Sequence, residues 1–249
     1  MRYADLHPAD LARAFSRGAP AVVPIGALEW HGPHLPLGLD TIVAKAFAER
    51  LSERVDGVLL PTYVTPVTTL PHPMSLQVGA DAFRGVMDDT LSGLVRAGAR
   101  TILVVSGHYA QGHEIELYEA AMRSMEDHFD VRTFAAAPLE PIGDDALLDH
   151  AGRIETSVLM AIEPNAVRLD DFDGTGFLGE DPRGATAEEG ETLIQRGLDA
   201  WEAWMDADRS TLGRWYGSRF DTYQPYIDTY YRGSWEEAIQ AWWQEHNSS

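Results

Sequence analysis

Four runs of consecutive apolar residues, Ala21–Ile25, Val58–Pro61, Thr101–Val105 and Val131–Ala135, constrain this chain more than any other feature. They do not alternate polar with apolar positions, as a strand with one wet face does. Each reads as a strand covered on both sides, which is the pattern of a parallel sheet. Parallel strands need crossovers, and helical patterns fill the gaps. Ala44–Val55 sets Ala44, Phe47, Ala48 and Leu51 on one face, Phe83–Ala97 does the same with Val86, Met87, Leu91 and Leu94, and Ile115–Met125 follows the third run. The alternation predicts an α/β fold: a three-layer sandwich with a central, mostly parallel sheet flanked by helices joined through right-handed crossovers. Ala187–Ala207 predicts a further long helix, and residues 137–152 and 170–186, rich in Pro, Gly and Asp, read as loops. A chain of 249 residues with 45% apolar content suits one domain over residues 1–249. Residues 211–249 form an aromatic-dense extension, expected to serve packing or subunit contact.

Charge and composition exclude several classes. The net charge is −20, from 39 acidic and 19 basic residues, so a phosphate backbone would be repelled and nucleic acid is not an expected partner. Lys45 is the only lysine. An acidic, lysine-poor surface suits a salt-rich cytoplasm, and equally reflects arginine codons of a GC-rich genome. The absence of cysteine removes thiolate metal sites and disulfides and agrees with a cytoplasmic location. No apolar run approaches the roughly 20 residues of a membrane helix, so no membrane association is expected.

Chemistry-bearing residues gather directly after two of the runs. Glu29, His31, His34 and Asp40 arrive within twelve positions of each other behind the first, with Pro33 and Pro36 stiffening the segment. Ser106, Gly107, His108 and Tyr109 follow the third. Ligands in open α/β sheets bind beyond the carboxyl ends of strands, so Glu29, His31, Asp40 and His108 are expected to converge at one rim. Carboxylate oxygens and imidazole nitrogens in that number suit zinc, manganese or iron. Gly107 implies close backbone approach or a positive φ before His108. His113 and Glu114 are expected on the first turn of a helix. A third cluster, Asp149-His150-Ala151-Gly152-Arg153-Ile154-Glu155-Thr156-Ser157, opens another helix. Trp30, between two candidate ligands, is expected to pack the site.

Glu29-Trp30-His31-Gly32-Pro33-His34-Leu35-Pro36 with Asp40 resembles the signature of the creatininase (creatinine amidohydrolase) family. Ser106-Gly107-His108-Tyr109, His150-Ala151-Gly152 with Glu155-Thr156-Ser157, and Asp181-Pro182-Arg183 with Ala185 to Glu188 resemble further segments of it, in matching order over roughly residues 15 to 205. The resemblance implies a hexameric assembly of like chains and a centre of two divalent ions (Zn, Mn or Fe) that hydrolyses a non-peptide amide of a small molecule. It implies that Glu29 and His108 bind one ion, that His31 binds the other, that Asp40 bridges them, and that His150 shuttles protons. His34, Ser106 and Tyr109 are expected to orient ligands or meet substrate.

The chain departs from creatininase itself where Ala110 replaces a metal-binding glutamate. Glu155 is the first candidate to replace it, with Glu114 behind, and Glu155 is accordingly counted with His150 among the catalytic residues. The expected reaction is attack on an amide carbon by hydroxide held between the ions, with His150 protonating the departing nitrogen. Two other readings stay open. One is a formamide hydrolase on a ribosyl-pyrimidine phosphate in flavin or deazaflavin synthesis, with Arg153 and Arg183 holding the phosphate. The other is a degenerate assembly subunit without catalysis. Trimming of a peptide-derived cofactor precursor is a third related role.

Overall fold

The four apolar runs become one wholly parallel sheet in the computed structural model, which describes residues 1–246. Its strands are β1 (Ala21–Gly26), β2 (Val58–Leu59), β3 (Tyr63–Val64), β4 (Thr101–Ser106) and β5 (Arg132–Ala136). The order is β2-β1-β4-β5, with β3 also paired to β1. Every residue of β1 and β4 is buried, as an unbroken apolar run requires.

The second run, Val58–Pro61, yields two short strands rather than one. Val58 and Leu59 pair with Ala21 and Val22, then Tyr63 and Val64 pair with Ile25 and Gly26. The break has a local cause. Val22 accepts a hydrogen bond from the Leu60 N–H on this side, so Pro24, two residues on, faces the same neighbour with no N–H to donate.

Eight α-helices flank the sheet among the described residues. They are α1 (Pro8–Ser16), α2 (Leu39–Arg54), α3 (Ala80–Ala97), α4 (Gln111–Asp127), α5 (Arg153–Ile162), α6 (Ala187–Ala203), α7 (Arg209–Tyr230) and α8 (Trp235–His246). α2 packs on β1 and gathers α5 and α6 against itself; α4 packs on β5 and gathers α3 and α7. None of these helices is long and apolar enough to cross a membrane.

Two helices differ in extent from their sequence patterns. α2 starts five residues earlier than its apolar pattern, so Asp40 stands on its first turn and not in a loop. That turn descends onto the strand ends because two glycines make room. A Cβ on Gly26 would lie 2.4 Å from Thr41 Cα, and one on Gly107 would lie 2.0 Å from the Asp40 carbonyl oxygen. Gly107 is therefore used for close approach, not for a left-handed φ. The segment expected as a helix over Ala187–Ala207 ends at Ala203, where Trp204 closes the last turn.

The aromatic extension is helical and folds onto the body of the chain; its last three positions, 247–249, lie outside the described residues. On α7, the buried Tyr216 hydroxyl donates to the Thr133 carbonyl and accepts from the Ala135 N–H, both at 2.9 Å, which ties the helix to β5. α8 packs on α7.

Candidate metal centre

Glu29, His31, Asp40, His108 and Glu155 are all buried, and the structure brings them together beyond the carboxyl ends of β1 and β4. Their candidate ligand atoms fall into overlapping groups, each within 4.8 Å: Glu29, Asp40 and His108; His31, Asp40 and Glu155; and Glu29, His31 and His150. Asp40 is common to the first two groups. His108 Nδ1 lies 3.0 Å from Glu29 and 3.2 Å from Asp40. His31 Nε2 lies 3.0 Å from Asp40 Oδ1 and 3.8 Å from Glu155.

The backbone holds each histidine in a defined tautomer. A carbonyl oxygen can only accept, so the ring nitrogen facing it must carry the proton. His31 gives its Nδ1 proton to the Glu29 carbonyl at 3.1 Å, which aims Nε2 at Asp40. His108 gives its Nε2 proton to the Val67 carbonyl at 3.0 Å, which aims Nδ1 at the carboxylates. His150 gives its Nε2 proton to the Trp30 carbonyl at 3.2 Å and keeps Nδ1 as its basic nitrogen. Three imidazoles, each pinned at one nitrogen by a backbone carbonyl and turned by the other towards the carboxylates, form a pre-set ligand array.

The segment that presents Val67 is strained. Thr68, β-branched, sits at φ 60°, and Ala151, beside His150, at φ 51°. Thr68 is held by its hydroxyl, which donates to Val67 and accepts from the His113 N–H. Two residues on, the Leu70 N–H donates to a Glu29 oxygen. Glu155 accepts 2.6 Å hydrogen bonds from the Ala151 N–H and the Tyr109 hydroxyl. Both oxygens of Asp149 cap the start of α5, through the N–H groups of Ile154 and Glu155.

Electrostatics follow from burying these charges together. Burial alone would strip His31 of its second proton, but Asp40 and Glu155 outweigh it and push the ring up to about 10. His108 is likewise raised against burial, by Glu29 and Asp40. In return, and again against burial, the histidines hold the Glu29 and Asp40 carboxyls below their ordinary range. Glu155 goes the other way: burial, abetted by Asp40 and Asp149 and opposed by His31, pushes it up to about 8. Burial and the charge of His31, stacked on it at 4.4 Å, press His150 down to about 3, so it is neutral at physiological pH.

One atom is informative by its isolation. Asp40 Oδ1 is fully buried and receives no well-aligned hydrogen bond. His31 Nε2, 3.0 Å away, is poorly aligned to serve it; an underserved buried carboxylate oxygen is costly, and a cation shared with His31 would satisfy it. Hard oxygens, three pinned imidazoles and this orphaned oxygen together fit divalent metal ions.

Other candidates take different places. Tyr109 lines the cavity in front of the cluster. Ser106 does not; its hydroxyl donates to the His108 carbonyl and lies 3.2 Å from His113 Nε2, bracing the turn that carries His108. His34 is buried behind α5, 3.4 Å from Thr156 and edge-on to Phe172, and makes no bond to a candidate ligand. Glu114 points into a separate polar network, with Tyr118 and Tyr223 as partners. Trp30 does pack, stacked on His72 at 4.6 Å.

Sequence reasoning named Asp149 in the third cluster but gave it no role, and it missed the Val67–Leu70 bracket and the placing of Ile239 and Trp242 of α8 on the cavity. It also gave His150 a proton-transfer role without placing it within ligand distance of Glu29 and His31.

Comparison with known proteins fits this geometry. The creatininase family model (creatinine amidohydrolase) matches residues 4–205, and the chain belongs to that family. The creatinine amidohydrolase of Pseudomonas putida is 25% identical over 183 residues, 64% of this chain and 70% of that protein. A mycofactocin precursor peptide peptidase of Mycolicibacterium smegmatis is 30% identical over 204 residues, 70% and 78% of the two chains. Among solved structures, creatinine amidohydrolase (creatininase) superposes with a TM-score of 0.72 at 19% identity, covering 82% of this chain and 96% of that one. The structure described as "Creatininase Mn" gives 0.71 at 20% identity, covering 82% and 96%. Both sequence relatives carry the names of hydrolases of a carbon–nitrogen bond. The family match stops before α7 and α8.

Proposed function

We propose that this protein is a metal-dependent amidohydrolase that cleaves a non-peptide carbon–nitrogen bond in a small, uncharged molecule. The observation that carries the reading is the convergence of Glu29, His31, Asp40, His108 and Glu155, with Asp40 common to two of the candidate ligand groups. Glu29, Asp40 and His108 would hold one divalent ion; His31, Asp40 and Glu155 would hold the other, so that Asp40 is shared. Glu155 stands in for the carboxylate that Ala110 does not provide. Bound there, two such ions would supply Lewis-acid activation of a water and of the amide carbonyl. Asp40 and Glu155 fix the spacing of the site. His150, fixed at Nε2 by the Trp30 carbonyl, would have Nδ1 available to accept a proton and return it to the leaving nitrogen.

The cavity supports a small neutral substrate. It measures about 160 Å³ and is lined by four carboxylates, from Glu29, Asp40, Asp149 and Glu155, and by no arginine or lysine. A cavity of about 150 Å³ takes a molecule the size of benzene. No arginine or lysine side chain is offered to a phosphorylated substrate: Arg153 is paired to Glu180 and Glu189, Arg183 to Asp181, and neither lines the cavity. This weakens the formamide reading in its ribosyl-phosphate form.

A peptide substrate is the second reading. The peptidase relatives motivate it, and Leu70 and Ile239 line both this cavity and an adjoining groove of about 420 Å³. Turnover of a panel of lactams, formamides and short peptides by Mn²⁺-loaded protein, before and after chelation, tests both. Cleavage that persists undiminished after complete metal removal refutes the metal-dependent reading.

A further inference from the structure

The cavity wall that the candidate ligands do not build comes partly from outside the family-matched region. Ile239 and Trp242 of α8 line it together with Leu70, Leu148 and Leu178, while the family match ends at residue 205. The sequence of α8 explains how it presents them. Trp235, Ala238, Ile239, Trp242 and Trp243 recur at i, i+3, i+4, i+7 and i+8, which is one face of a helix. The opposite face carries Glu236, Glu237, Gln240 and Glu245.

Two clamps hold that face over the site. Trp235 lies against Gly112 at the start of α4; a Cβ there would come within 2.9 Å of the indole ring. Its Nε1–H donates to Glu116 at 2.9 Å, and Arg84 bonds both oxygens of the same carboxylate. At the other end, Trp243 meets Trp30 edge-on at 6.4 Å. Trp30 is the residue between Glu29 and His31, and its carbonyl holds His150. α8 is thus fastened to α4, which follows the His108 turn, and to Trp30, between Glu29 and His31. Trp242 stays half-buried, stacked on His246 at 4.5 Å, with part of its surface on the cavity.

Resting on the amidohydrolase reading, we propose that Trp242 and Ile239 are specificity-determining residues, and that they select an amide whose non-reacting part is a planar, unsaturated group about the size of one ring. A flat indole face and a branched aliphatic side chain offer stacking and apolar burial but no hydrogen bond. Polarity enters this cavity at the candidate ligands, Tyr109, Gln111 and Asp149, so the reacting amide lies at that end and its apolar remainder against α8. The preference costs little ordering, because α8 is already fastened.

The test compares hydrolysis of formanilide and N-methylformamide by Mn²⁺-loaded wild type, W242A, W242F and I239A. The intrinsic difference between the two leaving groups cancels when each variant's ratio of kcat/KM is divided by that of the wild type. The proposal predicts that W242A lowers the formanilide-to-N-methylformamide ratio about 10-fold, mainly through KM. W242F recovers most of the loss, and I239A lowers the ratio less. A W242A ratio equal to that of the wild type overturns it, as does a wild type that does not favour formanilide. If the wild type turns over neither amide, calorimetric titration with benzamide decides: about 10-fold weaker binding to W242A supports the proposal, and equal or absent binding overturns it. D40A separates the two claims. Full turnover in D40A defeats the amidohydrolase mechanism, whereas a dead D40A beside an unchanged W242A ratio defeats the role of α8 alone.

Discussion

Two buried acid clusters lie near each other in this chain, and they have opposite characters. In the first, Glu29, Asp40 and Glu155 face histidines and a cavity. In the second, Glu114 and Glu140 face Tyr118, Tyr223 and Arg219. The acids of this second cluster are met by side chains and backbone of the chain itself. Arg219 lies 2.6 Å from Glu140, donates to Tyr223 and reaches Asp145, while the Ala137 N–H donates to the other Glu140 oxygen. The Tyr118 hydroxyl lies 3.1 Å from Glu114 and 2.5 Å from Glu140, yet a phenol has one proton to give. One of the acids must therefore supply a proton, in keeping with Glu114, which burial and the charge of Glu140 raise well above the carboxylate range. The first cluster pairs imidazoles with carboxylates and opens onto a cavity, whereas the second pairs carboxylates with phenols and a guanidinium.

The sharpest way to break this contrast is Asp40→Ala. Removing the shared carboxylate should reduce kcat/KM on any amide the wild type cleaves by about 10³-fold or more, several kcal/mol of transition-state stabilisation, with the fold intact by circular dichroism. Retained activity would mean that the first cluster is structural too. Next in size is Arg219→Met, which leaves Glu140 buried without its cation. The expected cost is about 3–5 kcal/mol, a drop of roughly 10 °C in Tm for a chain of this length. A shift under about 2 °C would show that the second network does not depend on its one guanidinium.

The pH dependence of cation stabilisation comes third. In the protein without added metal, His31 is raised to about 10, so the stability it contributes is complete below pH 6.5 and is lost as pH climbs towards 10. Glu155, raised to about 8, acts with the same sign between pH 4.5 and 8. A divalent cation must displace these protons, so its binding strengthens as they become easier to remove. The Tm gain on adding Mn²⁺ should therefore be larger at pH 8.5 than at pH 6.5, by scanning calorimetry; an equal gain would contradict proton displacement. Smallest is Glu114→Gln, which imitates a carboxyl already protonated. It should alter stability by no more than about 1 kcal/mol and leave cation binding unchanged in a parallel titration. A lost ion would place Glu114 in the metal site after all.

The strands, and the gathering of the candidate ligands at one rim, were legible in the sequence for one reason: both depend on short-range pattern. Unbroken apolar runs mark buried strands, and clusters placed just after two of them locate the rim. What escaped depends on contacts distant in sequence. β3 exists because Pro24 interrupts pairing on the neighbouring strand, a cause found in β1 and not in residues 58–64. The early start of α2, and with it the place of Asp40, rests on room left by Gly26 and Gly107. Glu114 carries the same side chain as Glu29 but points into another network, because α4 turns it towards Tyr223 of α7, 109 residues away. The Trp235–Trp243 stripe is a plain helical signal, yet nothing in its spacing says which cavity it covers.

The central claim is that side chains from separated segments of the chain share cations at the end of the sheet. The direct measurement is an anomalous difference map collected at the manganese edge from crystals grown with Mn²⁺. The account predicts two peaks enclosed by residues 29, 31, 40, 108 and 155, with Asp40 touching both. An empty cluster in a crystal that binds Mn²⁺ elsewhere would contradict it.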